Sequence, residues 1–191
     1  MPDNRAALSP EQTLPDYLQP GLRLVIVGIN PGYYSTQVGH YYARPGNLFW
    51  EGLSESGLLS RRYSADMDAQ LLNEGIGLTD VVKRPTHSSG ELTQAEFDEG
   101  RKITSRKIET YAPGVACFVG LLGATAFLGR QVKPGPQTEK IGATRLFAMP
   151  SPSRRNAHYG KAKIVAYFQD LQRFVEEIEP GTFTNRAQTN R

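Results

Sequence analysis

Four short segments of this chain concentrate residues whose types and spacing can do chemistry. Gly28-Ile29-Asn30-Pro31-Gly32 holds a carboxamide in a loop that two glycines and a proline make tight and stiff. Glycine there lets a ligand approach the backbone closely. The Asn30 amide donates and accepts hydrogen bonds but takes no proton at neutral pH, so it can orient a water and not deprotonate it. No Gly-Lys-Ser/Thr follows, so this is not a Walker phosphate loop. Gly75-Ile76-Gly77-Leu78-Thr79-Asp80 ends on a carboxylate. Asp80 can cap a turn, activate a water, or stabilise positive charge developing on a sugar. Met149-Pro150-Ser151-Pro152-Ser153-Arg154-Arg155 joins two stiffening prolines to hydroxyl and guanidinium groups that suit phosphate contacts. The fourth segment, Gly39 to Trp50, is rich in aromatic rings and carries Arg44-Pro45-Gly46-Asn47.

The elements that must position these segments follow from apolar patterning. Leu22 to Val27 is a nearly continuous β-branched run, as in a strand buried on both faces, and it leads straight into the Asn30 loop. Val115 to Gly120 predicts a second buried strand with a short helix after it ending at Gly129, and Leu146 to Met149 a third strand broken by Pro150. Asn47 is placed to cap a helix bearing Phe49, Trp50 and Leu53, and Ser64 a short one bearing Met67, Leu71 and Leu72. Thr93-Gln94-Ala95-Glu96 is a capping box for a helix stopped by Pro113-Gly114. Ile164, Tyr167, Phe168, Leu171, Phe174, Val175 and Ile178 mark one face of a last helix. Strands alternating with helices predict an α/β fold, a three-layer α/β/α sandwich around a mainly parallel central sheet. In such sheets, sites gather in the loops at the carboxyl ends of strands, where the segments after Val27 and after Met149 both lie.

Composition sets outer limits. At 191 residues and 39% hydrophobic, one domain with a real core is expected, over residues 21–179 between a loose N-terminal arm (1–20) and a C-terminal tail (180–191). The longest apolar runs are far too short to span a bilayer, and the opening residues lack the order of a secretory signal, so a cytoplasmic protein with no membrane partner is expected. The single cysteine, Cys117, excludes an intramolecular disulfide framework and a cysteine-ligated metal site within one chain. His40, His87 and His158 show no metal-ligand spacing, so neither metal nor other cofactor is implied. With 22 Lys and Arg against 19 Asp and Glu, the net charge of +3 permits nucleic-acid binding without arguing for it.

In order, spacing and wording, the four segments together resemble the mismatch-specific uracil/thymine DNA glycosylase family, the second family of the uracil-DNA glycosylase superfamily, over roughly residues 22–175. The resemblance implies a monofunctional enzyme, expected as a monomer, that flips uracil or another mispaired pyrimidine out of double-stranded DNA and hydrolyses its N-glycosidic bond. A glycosylase cannot reach C1′ of a stacked nucleotide, so extrusion is required, and it costs least for a mispaired base. By the resemblance, Asn30 sits beside the scissile bond and positions water, Ile29 and Gly32 line the pyrimidine pocket with their backbone, and Tyr42 stacks on the flipped base. The Met149 loop enters the duplex, with Arg155 as the wedge, Arg154 the neighbouring choice, and Ser151 and Ser153 on phosphate. Asp80 departs from the family pattern, which has a neutral or basic residue there. A carboxylate base would add rate independently of base-pair disruption, which predicts a substrate range broader than G·U. No lysine stands as an obvious Schiff-base nucleophile, so lyase activity is not expected. Two other readings use the same residues: a catalytically inactive mismatch-binding module, and an unrelated nucleotide-binding α/β domain. Association with the nucleoid would follow from DNA binding.

Overall fold

The structure, a computed structural model, describes residues 12–154, 156 and 158–178. Five strands form one sheet in the order β2-β1-β3-β5-β4. These are β1 (Leu24–Gly28), β2 (Ile76–Asp80), β3 (Val115–Val119), β4 (Gly135–Ile141) and β5 (Thr144–Met149). β1 pairs in parallel with β2 and β3, and β3 with β5, while β4 closes one edge antiparallel to β5. The first connections run to opposite sides of β1, so the sheet has its switch point there, and a crevice opens beyond the carboxyl ends of β1 and β3.

Side-chain alternation sorts the strands' residues into two cores. Leu24 and Ile26 of β1, Cys117 and Val119 of β3, and Phe147 and Met149 of β5 face one side. Helices α2 (Phe49–Glu55) and α5 (Lys161–Ile178) cover that side, with Phe49 edge-on to Phe168 at 5.6 Å. Val25, Val27, Ala116, Phe118, Leu146 and Ala148 face the other, under α3 (Gln94–Tyr111) and α4 (Leu121–Leu128). The three-layer sandwich expected from the sequence is the fold observed. Asn47 accepts from the Phe49 N–H at 3.0 Å, and Thr93 and Glu96 form their capping box at the start of α3.

Several local expectations change. The segment after Ser64, Ala65–Glu74, is a 3-10 helix. Tyr33–Val38 forms a short helix, α1, in a stretch whose pattern predicts no element. β4 was also missed, because an edge strand rich in polar residues carries no apolar alternation. β2 was missed because Gly75 just before it and Gly77 within it interrupt the apolar pattern. Gly77 is there for a packing reason: a Cβ on it would lie 2.6 Å from the Tyr17 carbonyl oxygen and 2.7 Å from Leu22 Cδ1. The residue makes room for the segment before β1. That segment corrects the loose-arm reading over its described part. Leu14 is buried, and Tyr17 exchanges backbone hydrogen bonds with Leu78 at 2.9 and 3.0 Å. Residues 1–11 and 179–191, including the whole predicted tail, lie outside the described residues.

Candidate active site

A cavity of about 560 Å³ opens at the switch point, among the loops that follow β1, β2, β3 and β5. Ile29, Asn30, Gly32, Tyr42, Asp80, Ser151 and Ser153, from four distant parts of the sequence, all line it. Arg154 lies in an adjoining recess, and Arg155 falls outside the described residues.

Asn30 is held by its nitrogen. Its Nδ2 donates to the Arg84 carbonyl at 2.9 Å, to Thr86 Oγ1 at 2.7 Å and to the Pro31 carbonyl at 3.3 Å. A backbone carbonyl only accepts, so the amide orientation is fixed by its partners. Oδ1 is then the free edge, with no hydrogen-bond partner among the described residues. The bracing segment is itself stitched to the loop: Val81 and Val82 N–H donate to Gly28 and Ile29 carbonyls at 2.9 Å, and Thr86 N–H to Pro31 at 3.1 Å. Arg84 and Thr86 were not foreseen. The signal was Lys83-Arg84-Pro85-Thr86, a stiffened loop directly after a strand that the sequence reading had not recognised.

Ile29 turns its side chain away, into a seat that only glycines allow. A Cβ on Gly123 of α4 would lie 2.3 Å from Ile29 Cγ1, and one on Gly120 3.1 Å from Cδ1. A Cβ at Gly32, by contrast, would meet no protein atom within 4 Å. With φ of −79° there, nothing in the protein itself requires glycine at that position.

Tyr42 has φ +54°, a left-handed conformation uncommon for a residue with a side chain. Its neighbours impose it. The buried Asp68 carboxylate accepts from Tyr41 N–H at 2.9 Å, Trp50 Nε1 donates to the Tyr41 carbonyl at 3.0 Å, and Ala43 N–H donates to Ser35 Oγ at 3.2 Å. The Tyr42 ring is thereby stacked on Phe49 at 3.8 Å and 12° while it lines the cavity. Its hydroxyl is buried without a hydrogen-bond partner. His40 pairs with the same Asp68 at 3.2 Å, which gives it a place beneath the Tyr42 loop. His87 lines the cavity and packs on Tyr33 at 4.1 Å.

Asp80 ends β2 opposite Gly28 and forms part of the cavity floor, with 3% of its surface exposed. Its Oδ1 occupies the space a side chain at Gly28 would need, 2.2 Å from the position of a Cβ, and its Oδ2 is buried and unpartnered. Burial pushes this carboxyl up to about 6, against the pull of the Lys83 charge. Lys83 bridges the Tyr41 hydroxyl at 3.2 Å and Asp16 at 2.8 Å. At neutral pH the group is therefore mostly ionised, yet close enough to its midpoint to exchange a proton.

A mainly parallel sheet with a cavity, partly walled by aromatic residues, at its switch point defines an α/β domain with a concave site of ligand size. The chain belongs to the uracil DNA glycosylase superfamily, whose family model matches residues 15–172. Among solved structures, it is similar to the solution NMR structure of a Methanosarcina acetivorans protein provisionally described as a uracil DNA glycosylase, at 20% identity and a TM-score of 0.54. That match covers 84% of this chain and 98% of the other, and it shows the shared fold. Among the described residues no helix is long and apolar enough to cross a membrane, and no group of three or more His, Cys, Asp or Glu side chains could hold a metal ion.

Proposed function

We propose that this protein is a monofunctional glycosylase of the mismatch-specific kind, which takes an extruded uracil from double-stranded DNA into the switch-point cavity and hydrolyses its N-glycosidic bond. The observation that carries the reading is the Asn30 amide. Its nitrogen is committed to Arg84 and Thr86, so its oxygen is left to accept a hydrogen from a water at the cavity. The exposed face of Tyr42, backed by Phe49, is a platform for the base.

In the proposed reaction the C1′–N1 bond breaks and its electron pair leaves with uracil as the anion. The sugar passes through an oxocarbenium-like state, and the water oxygen bonds to C1′. The water's proton goes to a carboxylate, because an amide cannot take it, and Asp80 is the carboxylate in the cavity floor. Asp80 also supplies negative charge towards the cationic sugar. The uracil anion then takes up a proton from solvent and Asp80 gives its proton up, so uracil and an abasic strand are the products and the carboxylate is restored. Because Asp80 supplies rate that does not depend on how weakly the target is paired, uracil opposite adenine and in single strands should also be cut, more slowly than uracil opposite guanine.

The test is a substrate panel: uracil opposite guanine, uracil opposite adenine, thymine opposite guanine and single-stranded uracil, each followed by hot alkali. Alkali-labile sites at uracil support the reading. Tight binding to the mismatch with no labile site would instead mark an inactive binding module.

A further inference from the structure

A second, smaller hollow adjoins the cavity. It has a volume of about 160 Å³ and is lined by Arg44, Pro45, Asn47, Ser153 and Arg154. Arg44, Asn47 and Ser153 line the large cavity as well, so the two hollows share a wall. The loops on either side are pinned together by the Leu48 N–H, which donates to the Pro152 carbonyl at 3.0 Å.

The chemistry of this recess has one sign. Neither the Arg44 nor the Arg154 guanidinium has an ion-pair or hydrogen-bond partner among the described residues. The acidic groups on the adjacent helix α2 are already engaged, since Lys161 holds Glu51 at 2.6 Å and Glu55 at 3.0 Å. Asn47 commits its oxygen to the Phe49 N–H at the start of α2, which leaves its Nδ2 as a donor. Gly46 sets the geometry. Its φ is +77°, and a Cβ there would fall 2.2 Å from Arg154 Cδ and 2.8 Å from Nε and Nη1. The absent side chain is what allows Arg154 to lie over the Arg44–Asn47 loop and bring both guanidiniums to one hollow.

We propose that this recess binds a single backbone phosphodiester of the DNA strand that carries the extruded nucleotide, with Arg44 and Arg154 sharing that phosphate. Two guanidiniums and an amide N–H meet an anion that offers several acceptor oxygens. Arg154 is then a phosphate ligand and not a wedge, and Arg44 is a DNA contact that the sequence reading did not assign. Occupying the recess places the strand so that the next sugar stands at the mouth of the larger cavity. The inference rests on the DNA reading of that cavity.

The test measures affinity for a duplex holding 2′-fluoro-2′-deoxyuridine opposite guanine, which resists cleavage, between 50 and 200 mM salt. Neutralising one phosphate contact lowers the slope of log K against log salt by about 0.9. The double variant Arg44→Gln/Arg154→Gln should lose about that much, with each single variant losing part of it. Gly46→Ala, which displaces the guanidinium, should resemble Arg154→Gln. One methylphosphonate near the target should weaken wild-type binding about tenfold and leave the double variant unaffected. Unchanged slopes, a loss of about 1.8 in the double variant, or no position at which methylphosphonate and the variants fail to add would each overturn the proposal. Unchanged slopes in a protein that excises uracil defeat the recess alone. Reduced slopes in a protein that excises nothing defeat the enzyme reading alone.

Discussion

Replacing Asp80 by Asn should stabilise the protein at neutral pH while slowing the reaction. The carboxyl is buried in the cavity floor with one oxygen unpartnered, and burial raises it from 3.8 to about 6. A shift of that size corresponds to about 3 kcal/mol. The sign follows from proton linkage. Between these two values the folded protein holds a proton that the unfolded chain has released, so stability falls as pH rises through that interval. The penalty is absent below about 3.8 and fully present above about 6. Asparagine carries no such penalty, so the difference in stability between Asp80→Asn and wild type should grow from near zero at pH 4 to about 2–3 kcal/mol at pH 7.5. In a domain of this size that is a rise of about 4–12 °C in Tm. Urea titrations of both proteins across this range read the difference directly, and subtracting the two curves removes every other titrating group. The same substitution should remove the acid limb of kcat, centred near 6 in wild type. Equal stabilities at pH 7.5, or a variant destabilised throughout, would show that this carboxylate is not held against its burial cost and would refute the reasoning.

Other substitutions test the rest of the site. Asn30→Ala should cost about 10²-fold in kcat, and Asn30→Asp should not rescue it, because a carboxylate cannot donate to the Arg84 carbonyl that holds the amide; single-turnover excision separates the two from binding defects. Thr86→Val removes one of the acceptors that orient Asn30 and should slow excision about tenfold with little effect on affinity for an abasic duplex. Tyr42→Phe keeps the ring and removes an unpartnered buried hydroxyl, so Tm should hold or rise; Tyr42→Ala loses the platform and should raise KM by about tenfold or more. Gly77→Ala would press a methyl group against the Tyr17 carbonyl and should lower stability by about 1–3 kcal/mol in urea unfolding, with catalysis in the surviving fold unchanged.

The legible parts of this molecule were those governed by local pattern. β1, β3 and β5 announced themselves because both faces of each are buried, which forces continuous apolar runs. The capping box at Thr93 was readable because a cap is a chemical demand met within a few residues, whereas the cap position of α2 falls on Leu48 and Asn47, one residue earlier, accepts from the Phe49 N–H. β2 was hidden because Gly77 answers to a partner about sixty residues away, the Tyr17 backbone, and a glycine in a strand reads locally as a break. The arm was misread for the same reason: Leu14 and Tyr17 gain order from distant partners, Leu14 at the cavity wall and Tyr17 from Leu78 of β2, Asp68 and the Tyr41 ring. The segments meeting at the cavity could be named from their wording, but not what holds each in place. Asn30 depends on a backbone carbonyl at Arg84, which any residue type would supply, and the Tyr42 loop on the carboxylate of Asp68, whose burial beneath that loop no local pattern marks. Arg44 sits in a segment singled out by its wording but carries no local mark of a role, which comes only beside Arg154 over a glycine.

The most direct measurement is single-turnover incubation with a duplex carrying one uracil opposite guanine, with mass spectrometry of both the strand and the released small molecules. The account predicts one equivalent of free uracil, an unbroken strand carrying an abasic site that alkali cleaves, and a rate that collapses in Asn30→Ala. An intact, alkali-stable strand bound tightly by the wild-type protein would contradict it.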